Sequence, residues 1–341
     1  MQFNELSNEQ RRQLTDARQV FQAYKEAKSD HERRFSGSMR WVKRKGNEYL
    51  LRKTGTSETS LGPASAETTV TYDAFERGRS ENRERLQSLK KRLDDMAPVN
   101  RAIGIGRVPK LTARIIESLD EAGVLGRNII IAGSNALFAY EMSAGVLLGS
   151  DIVATGDVDL LWDTRRGIRL AVKEFKKEGV LGLLQKVDKT FGVRQQRDFR
   201  ATNNDGFFVD LICPEDRHFL PPEAADRLGE NRDNLYGAPI GGLEWLINSP
   251  KTEQIVVGED GYPLRMCCVD PRVYALHKEW LSKRQDRDPV RRTRDGDQAK
   301  LVAMIATKYL GLDIEGDDLL ALPHELRSQA DQLATGQVDQ I

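Results

Sequence analysis

The stretch from residue 129 to residue 163 constrains the fold more than any other, because it combines two apolar runs with a glycine turn and an acidic pair. Its parts are, in order, Ile129–Ala132, Gly133-Ser134, a predicted helix over residues 135–144, and a second apolar run that contains Asp157-Val158-Asp159. Side chains alternate along a strand with period two, so Asp157 and Asp159 should point to the same face. Neighbouring carboxylates repel each other unless a cation lies between them. The stretch therefore predicts a strand, a turn, a helix and a second strand that carries an acidic pair.

The chemistry of these residue types indicates a nucleotide site. Carboxylate oxygens are hard ligands that suit Mg²⁺, which usually takes one or two of them together with substrate phosphates. Gly133 permits close approach of the backbone, and the helix behind Gly133-Ser134 directs free N–H groups at an anion. A phosphate cradle followed by a metal-binding acidic pair predicts a protein that handles nucleotides.

A third acidic residue, Asp210, lies in the apolar run FFVDLIC of residues 207–213. With Gly133-Ser134 and Asp157-Val158-Asp159 it gives an order that resembles the DNA polymerase β-like nucleotidyltransferase superfamily. The resemblance covers residues 129–213, about a quarter of the chain. It implies an α+β fold with a small mixed sheet, and an enzyme that moves an NMP from an NTP to a hydroxyl group by a two-metal mechanism.

The same resemblance implies a role for each of these residues. Asp157, Asp159 and Asp210 would be catalytic and would hold two Mg²⁺ ions, with Mn²⁺ as a substitute. Gly133 and Ser134 would hold the triphosphate. The residues alone leave a second interpretation of Asp210 open, as an acid at a sheet edge that pairs with a surface arginine.

A triphosphate also needs cations, because two Mg²⁺ ions offset only part of its charge. The stretch of residues 277–300 supplies many, among them Lys278 and Arg284. A lysine on one helix, an arginine-rich segment and Arg-Asp at the start of the next helix are locally similar to AbiE-like nucleotidyltransferase toxins. This similarity implies that Lys278 and Asp295 matter for activity, and it suggests a tRNA acceptor and an antitoxin-like partner. We predict that Lys278, Asp295 and Arg284 bind the nucleotide, and that Lys278 is also catalytic.

Lys278 carries the most specific expectation. It should lie on a helix over residues 271–283 and reach toward the three aspartates, within about 12 Å, as a point charge for the phosphates. Lys278→Ala should then weaken NTP use strongly and leave the fold intact. Otherwise the cations would come from the basic hairpin predicted near residues 39–53.

Length and composition bound the organisation. A chain of 341 residues accommodates two domains or one domain with additions. We divide it into N-terminal helices with a β-hairpin (1–100), a nucleotidyltransferase core (101–215) and a mainly helical C-terminal domain (216–341). Formal net charge is zero, so composition alone does not indicate a nucleic-acid-binding protein. The three cysteines lie in apolar runs and are expected to be reduced core residues.

Targeting and membrane signals are missing from the sequence pattern. No run approaches the ~20 apolar residues of a membrane span, and the N-terminal segment lacks the apolar core of a signal peptide. These patterns predict a soluble, cytoplasmic protein without membrane contact.

The remaining elements follow from apolar periodicity, capping patterns and turn residues. Helices are predicted over residues 7–34, 66–96, 110–122, 166–178, 271–283, 295–309 and 317–333. Strands are predicted over residues 128–132, 194–201, 206–213, 243–247, 254–257 and 264–268, with a hairpin over 39–52. Residues 54–63 are predicted as a loop and residues 214–242 as irregular, and Asp163 is predicted to cap the helix that follows it.

Three functions remain open at this point. The first is the transferase, whose hydroxyl acceptor would belong to RNA, tRNA or a protein. The second is a catalytically silent protein of the same fold that binds a nucleotide or RNA as a regulator. The third is RNA binding through the basic hairpin with its Trp41 and Tyr49, which predicts RNA affinity that falls steeply with salt. The acidic triad favours the first, because a pure phosphate binder would gain from losing those charges.

Overall fold

Helices and strands are mixed along the chain, and the fold is α+β, as predicted. The structure is a computed structural model that describes residues 3–153, 156–165, 173–215 and 234–335. It contains two units. The first is built from the described residues of 1–11, 106–260 and 264–341, and the second from residues 12–105 together with 261–263.

Most strands are short, and their labels follow chain order. Within the described residues they are β1 (Phe3–Glu5), β2 (Ser38–Arg44), β3 (Asn47–Thr54), β4 (Ser57–Pro63), β5 (Ile129–Ala132), β6 (Val146–Leu148), β7 (Asp157–Trp162), β8 (Gly192–Val193), β9 (Arg200–Thr202), β10 (Phe208–Pro214), β11 (Ala238–Ile240), β12 (Lys251–Val257) and β13 (Pro263–Val269).

The helices are labelled in the same way. Within the described residues they are α1 (Asn8–Asp30), α2 (Ala66–Ala102), α3 (Lys110–Glu121), α4 (Leu137–Ala144), α5 (Ser150–Val153), α6 (Lys173–Val187), α7 (Leu243–Asn248), α8 (Pro271–Lys283), α9 (Pro289–Met304), α10 (His324–Arg327) and α11 (Ala330–Thr335). Short 3₁₀ turns cover Gly133–Ala136 and Asp317–Leu319, and wider π turns cover His31–Phe35 and Ile305–Tyr309.

The first unit is organised around one mixed sheet, with the strand order β12-β13-β5-β7-β10-β9-β8 and with β11 paired to β10. Strand β7 is antiparallel to β5 and parallel to β10, and β10 is antiparallel to β9. Consecutive residues of β5 are all buried although they point to opposite faces, so both faces of the sheet are covered. This explains why the central strands read as continuous apolar runs.

Two helices that follow the sheet begin with the same Asp-Pro pattern. Asp270 precedes α8 and its carboxylate accepts a hydrogen bond from the backbone N–H of Arg272. Asp288 precedes α9 and accepts from the N–H of Arg291 in the same way. The proline in the first turn needs no N–H partner, so each helix start is defined by sequence. Helix α8 therefore spans the residues predicted for it, and α9 begins six residues earlier than the predicted residue 295.

The second unit contains the antiparallel sheet β2-β3-β4 and the two long helices. The predicted hairpin is confirmed, with a turn at Lys45 and Gly46, which have φ angles of 50° and 86°. The helices share a core of Val20, Ala27, Leu89 and Leu93. The capping box predicted at the start of the first helix is confirmed by two bonds, from Ser7 N–H to Gln10 Oε1 and from Gln10 N–H to Ser7 Oγ.

Several predicted elements are wrong. Residues 57–63 form an exposed edge strand, not a loop, because polar Ser and Thr side chains are tolerated where one edge faces solvent. Residues 243–248 form a helix, not a strand, since a short apolar run cannot distinguish the two. The helix predicted over 317–333 is interrupted at Pro323 and divides into three short pieces. Helix α2 continues through Pro98 to residue 102.

Other differences concern the segments around the sheet. Of the strand predicted over 194–201, only the last two residues belong to a strand, β9, and residues 194–199 connect β8 to it. The predicted helix 166–178 and the irregular region 214–242 fall partly on residues 166–172 and 216–233, outside the described residues; between residues 234 and 242 the structure shows the additional strand β11. The cysteines are free and buried, as expected.

None of the helices in the part of the chain that the structure describes combines the length and the apolar composition of a membrane span.

Candidate active site

The Gly133-Ser134 turn, the Asp157/Asp159 pair and Asp210 lie close together because β5, β7 and β10 are neighbours in the sheet. Asp159 on β7 pairs in register with Ala132 on β5 and with Asp210 on β10, so these residues form one row across the sheet. Asp157 lies two residues before Asp159 on the same strand and therefore on the same face. The three predicted aspartates are thus brought together on one face of the sheet, next to the end of β5.

Gly133 follows β5 and must be glycine for two reasons. Its φ of 60° lies in the left-handed region, which residues with a side chain avoid. In addition, a Cβ atom at this position would lie 2.1 Å from Oδ2 of Asp159. The glycine of the Gly-Ser pair therefore makes room for the second aspartate.

Ser134 is held by a buried amide on α9. Gln298 donates from Nε2 to the Ser134 hydroxyl oxygen at 2.9 Å and to the backbone oxygen of Ile152 at 3.1 Å. The other end of the same amide, Oε1, is 3.1 Å from the hydroxyl of Tyr274, which donates to it. Because the Ser134 oxygen accepts from Gln298, its own O–H is left to donate elsewhere. No pattern in the sequence indicates this contact between Gln298 and Ser134, because the two residues are 164 positions apart.

Asp210 is bound by an arginine that sequence analysis missed. Arg200 on β9 lies opposite Asp210 in the antiparallel register. Its Nε and Nη2 atoms donate to the two carboxylate oxygens of Asp210 at 2.7 and 2.6 Å. Asp210 is therefore paired with an arginine, as the second interpretation proposed, but on an interior strand and not at a sheet edge. The Arg200 side chain is 37% exposed, so an incoming ligand can reach it.

Lys278 and Asp295 form a buried ion pair between α8 and α9. Lys278 Nζ is 2.6 Å from Oδ1 of Asp295, and Arg287 Nε is 2.9 Å from Oδ2 of the same carboxylate. Asp295 therefore holds two cations in place and has both oxygens engaged. Its burial opposes ionisation, but the two cations outweigh burial and lower the pKa of the Asp295 carboxyl.

All these groups line a single cavity of about 390 Å³. The residues predicted for the site that line it are Gly133, Ser134, Asp157, Asp159, Asp210, Lys278 and Asp295. Further lining residues that bear on the chemistry are Arg200, Tyr274, Arg287, Arg291, Arg294 and Gln298. Arg284 does not belong to this lining: its guanidinium donates to Asp286 at 2.9 and 2.6 Å and lies over the ring of Trp280. The arginine that lines the cavity beside Asp295 is therefore Arg287, in the connection between α8 and α9, and not the predicted Arg284.

A buried histidine, His277, also lines the cavity, and its Nε2 atom has no hydrogen-bond partner among the described residues. Burial lowers the pKa of His277 to about 3, so the ring is neutral at pH 7. Asp163 accepts hydrogen bonds from Arg165, and the first residues of the helix that it was predicted to cap, 166–172, lie outside the described residues.

The electrostatics of the acidic row fit a cation. Burial raises the pKa of Asp159 to about 6, and repulsion from Asp157 and Asp210 adds to the rise. Among the described residues, no three carboxylate, imidazole or thiol groups form a complete ligand set. Both oxygens of Asp210 are occupied by Arg200, whereas Asp157 and Asp159 are adjacent carboxylates whose repulsion Mg²⁺ would relieve. Asp157 and Asp159 therefore fit a magnesium ion, and Asp210 would join them after releasing Arg200.

The raised pKa of Asp159 gives a testable pH dependence of stability. A carboxyl group whose pKa is higher in the folded chain than its value of about 3.9 in an unfolded chain favours folding when protonated, and that contribution is lost as pH rises through about 6. Without metal, Asp159→Asn should therefore raise the free energy of unfolding by about 3 kcal/mol at pH 7.5 and by about half as much at pH 5. Urea unfolding in EDTA at both pH values measures this, and a gain independent of pH would contradict it.

A mixed sheet with a Gly-Ser turn, an acidic row and a buried lysine on one cavity defines an α+β protein of the nucleotidyltransferase type. Residues 110–321 match the family model described as Nucleotidyltransferase, which is more than half of the chain, so the chain belongs to this nucleotidyltransferase family. Membership of this family supports nucleotidyl transfer as the general activity of the protein. No curated protein and no solved structure matches the chain.

Proposed function

We propose that this protein transfers an NMP from an NTP to a hydroxyl acceptor and that the transfer requires Mg²⁺. The observation that carries the proposal is the shared cavity, which gathers Gly133-Ser134, the three aspartates and the Lys278–Asp295 pair. In such a transfer the acceptor hydroxyl forms a bond to the α-phosphorus, and the bond from the α-phosphorus to pyrophosphate breaks. Positioning and charge neutralisation account for most of the acceleration of phosphoryl transfer.

Asp157 and Asp159 would hold the Mg²⁺ ions, with Asp210 as the third ligand. Bound Mg²⁺ supplies activation of the acceptor hydroxyl and neutralisation of the leaving pyrophosphate. Asp210 would then be the base that accepts the proton of the acceptor hydroxyl, once Arg200 has turned away. Mn²⁺ prefers the same oxygen ligands and should substitute.

The triphosphate would be bound by donors from both sides of the cavity. The Ser134 hydroxyl has its proton available, because Gln298 occupies its oxygen as a donor. Arg291 lines the cavity and has no ion-pair or hydrogen-bond partner for its guanidinium among the described residues. Lys278 is held by Asp295 close to these groups. The excess positive charge of this set complements a polyphosphate.

The local similarity to AbiE-like toxins extends the proposal to a tRNA acceptor and an antitoxin-like partner. It rests on Lys278 and Asp295, which form the buried pair, whereas Arg284 has no part in the cavity. The cytoplasmic location expected from the sequence belongs to the same proposal.

The experiment is a label-transfer screen. Each of the four NTPs is incubated with the protein, total cellular RNA and total cellular protein, with Mg²⁺ or with EDTA. We expect pyrophosphate release with one or more NTPs in Mg²⁺, and none in EDTA. Equal release with and without EDTA would contradict the proposal.

Lys278→Met removes the charge and keeps most of the side-chain volume. A charge-assisted hydrogen bond is worth about 1.5–3 kcal/mol, so KM for the NTP should rise about 10- to 100-fold. The variant should also lose stability, because buried Asp295 loses one of two cations, but Arg287 remains and the loss should stay below the ~3–5 kcal/mol of a fully broken buried pair. The stability loss differs from the expectation of an intact fold based on sequence alone.

The matched control for Lys278→Met is Lys300→Met, because Lys300 is an exposed lysine on α9. Initial-rate kinetics and urea unfolding on both variants separate the two effects. An unchanged KM in a folded Lys278→Met protein would show that Lys278 does not contact the triphosphate.

The pairing of Asp210 with Arg200 favours a second candidate, a nucleotide-binding regulator without turnover. While Arg200 binds both oxygens of Asp210, that carboxylate is neutralised and is not available as a third ligand for a metal. Calorimetry separates the candidates, since a regulator should bind an NTP equally well with Mg²⁺ and with EDTA. The transferase should bind the NTP more tightly with Mg²⁺.

A further inference from the structure

A second cavity adjoins the catalytic one. Its volume is about 370 Å³ and its lining consists of Arg194, Gln195, Asp198, Phe199, Arg200, Thr202 and Phe208. Phe199 and Arg200 line both cavities, so the two are adjacent. Neither the Gly-Ser pair nor Lys278 belongs to the second lining, so this cavity is separate from the groups assigned to the triphosphate.

Aromatic rings and arginines alternate in this second cavity. The guanidinium of Arg200 lies 4.6 Å from the ring centre of Phe208 and 5.6 Å from that of Phe199. Phe199 is 39% exposed, and among the exposed large apolar side chains of the described residues it is the only aromatic one. Its backbone is fixed, because Phe199 O accepts from the N–H of Leu211 on β10. The exposed ring is therefore presented by a fixed backbone.

The connection between β8 and β9 is strongly basic. Residues 194–200 read RQQRDFR, with three arginines against one aspartate, and the first four of these residues are exposed. Arg194 has no ion-pair or hydrogen-bond partner for its side chain among the described residues. Arg197 lies 5.8 Å from the ring centre of Tyr236. Cationic side chains interleaved with exposed rings are the features that bind single-stranded nucleic acid, through phosphate contacts and base stacking.

We propose that this second cavity, with the 194–200 connection, binds the acceptor, and that the acceptor is a single-stranded nucleic acid. The inference rests on the proposed transfer reaction and names the class of its hydroxyl substrate. Stacking on Phe199 requires a base whose face is free, which a duplex offers only at its ends. A strand bound there lies beside Arg200 and therefore beside Asp210, where the proposed transfer needs the hydroxyl. A protein acceptor would gain little from a row of arginines.

The test measures binding without turnover, so its outcome is independent of the transfer reaction. A fluorescent 12-nucleotide single-stranded RNA is titrated with the full chain, without NTP, and binding is followed by anisotropy. Stacking of one base is worth ~1–3 kcal/mol, so Phe199→Ala should weaken binding on the order of tenfold. Leu320→Ala removes another exposed apolar side chain, 58% exposed, and should leave binding unchanged.

A phosphate contact has a separate signature. Arg194→Ala should reduce the slope of log affinity against log salt by about 0.7, the value for one contact to a single strand. Arg127→Ala is the matched control, because Arg127 is exposed and precedes β5 at the end of the strand away from Gly133. It should leave the slope unchanged.

Three results would overturn this inference. They are wild-type binding by Phe199→Ala, equal affinity for the RNA and for its blunt duplex, and no binding of the RNA by the wild-type protein. If the label screen shows transfer to protein and Phe199→Ala supports it at the wild-type rate, the acceptor assignment is wrong while the transfer reaction stands. If RNA binding follows the expectation but no NTP releases pyrophosphate, the transfer reaction is wrong and the RNA site stands.

Discussion

Asp157→Asn and Asp159→Asn are each expected to lower NMP transfer on the order of a thousandfold, because in the proposed reaction each carboxylate would hold Mg²⁺ against the phosphates. Metal stabilisation of the transition state is worth several kcal/mol, and about 4 kcal/mol corresponds to a thousandfold in rate. Asp159→Asn should at the same time make the metal-free protein more stable at pH 7.5, since it removes a carboxylate that is buried and repelled by Asp157 and Asp210. A variant that is more stable and inactive identifies a residue kept for function.

The control for the two asparagine variants is Asp297→Asn. Asp297 is an exposed aspartate on α9 and precedes Gln298, which lines the cavity. It should retain the wild-type rate and stability. Rates are measured as pyrophosphate release at saturating Mg²⁺, with circular dichroism to verify the fold. If Asp157→Asn or Asp159→Asn keeps more than about a tenth of the wild-type rate, that residue does not hold the metal.

Gly133→Ala is expected to lower transfer nearly as far as loss of Asp159, although it adds a single methyl group. The new Cβ would lie 2.1 Å from Oδ2 of Asp159, so either the carboxylate or the turn must move. The change also places alanine at a φ of 60°, which costs roughly 1–2 kcal/mol. Activity and stability should therefore both fall.

Gly311→Ala separates backbone strain from the clash. Gly311 has a φ of 64° with no atom within 4 Å of a Cβ built on it, so its alanine variant has the strain alone. We expect Gly311→Ala to lose stability but to retain transfer. Equal transfer rates in Gly133→Ala and Gly311→Ala would show that the approach of Gly133 to Asp159 is unimportant.

Much of the acidic site could be predicted because it depends on local pattern. The period of a strand places Asp157 and Asp159 on one face, and an apolar run before Gly133-Ser134 indicates a buried strand that ends at the turn. Helix α8 was predicted to the residue because Asp270-Pro271 is a clear start signal. These signals lie within a few residues of the elements they define.

The groups that were missed depend on register between strands and on the direction of side chains. Arg200 meets Asp210 only because the connection between β9 and β10 runs over residues 203–207. The strands predicted over 194–201 and 206–213 would have placed a different residue opposite Asp210. The sequence pattern does not distinguish Arg284 from Arg287 as a cavity residue. Arg284 is bound by Asp286 outside the cavity lining, whereas Arg287 lines the cavity. The room for Asp159 beside Gly133 is likewise a property of packing.

The central claim is tested most directly by the position of the label in the product. The protein is incubated with Mg²⁺, total RNA and the preferred NTP, labelled either at the α-phosphate or at the γ-phosphate, with Asp159→Asn as the control. The account predicts that the α-label becomes attached to RNA, that the γ-label leaves as pyrophosphate, and that the variant does neither. Two results would contradict nucleotidyl transfer by this site. One is attachment of the γ-label to RNA, and the other is attachment of neither label although the protein binds the NTP.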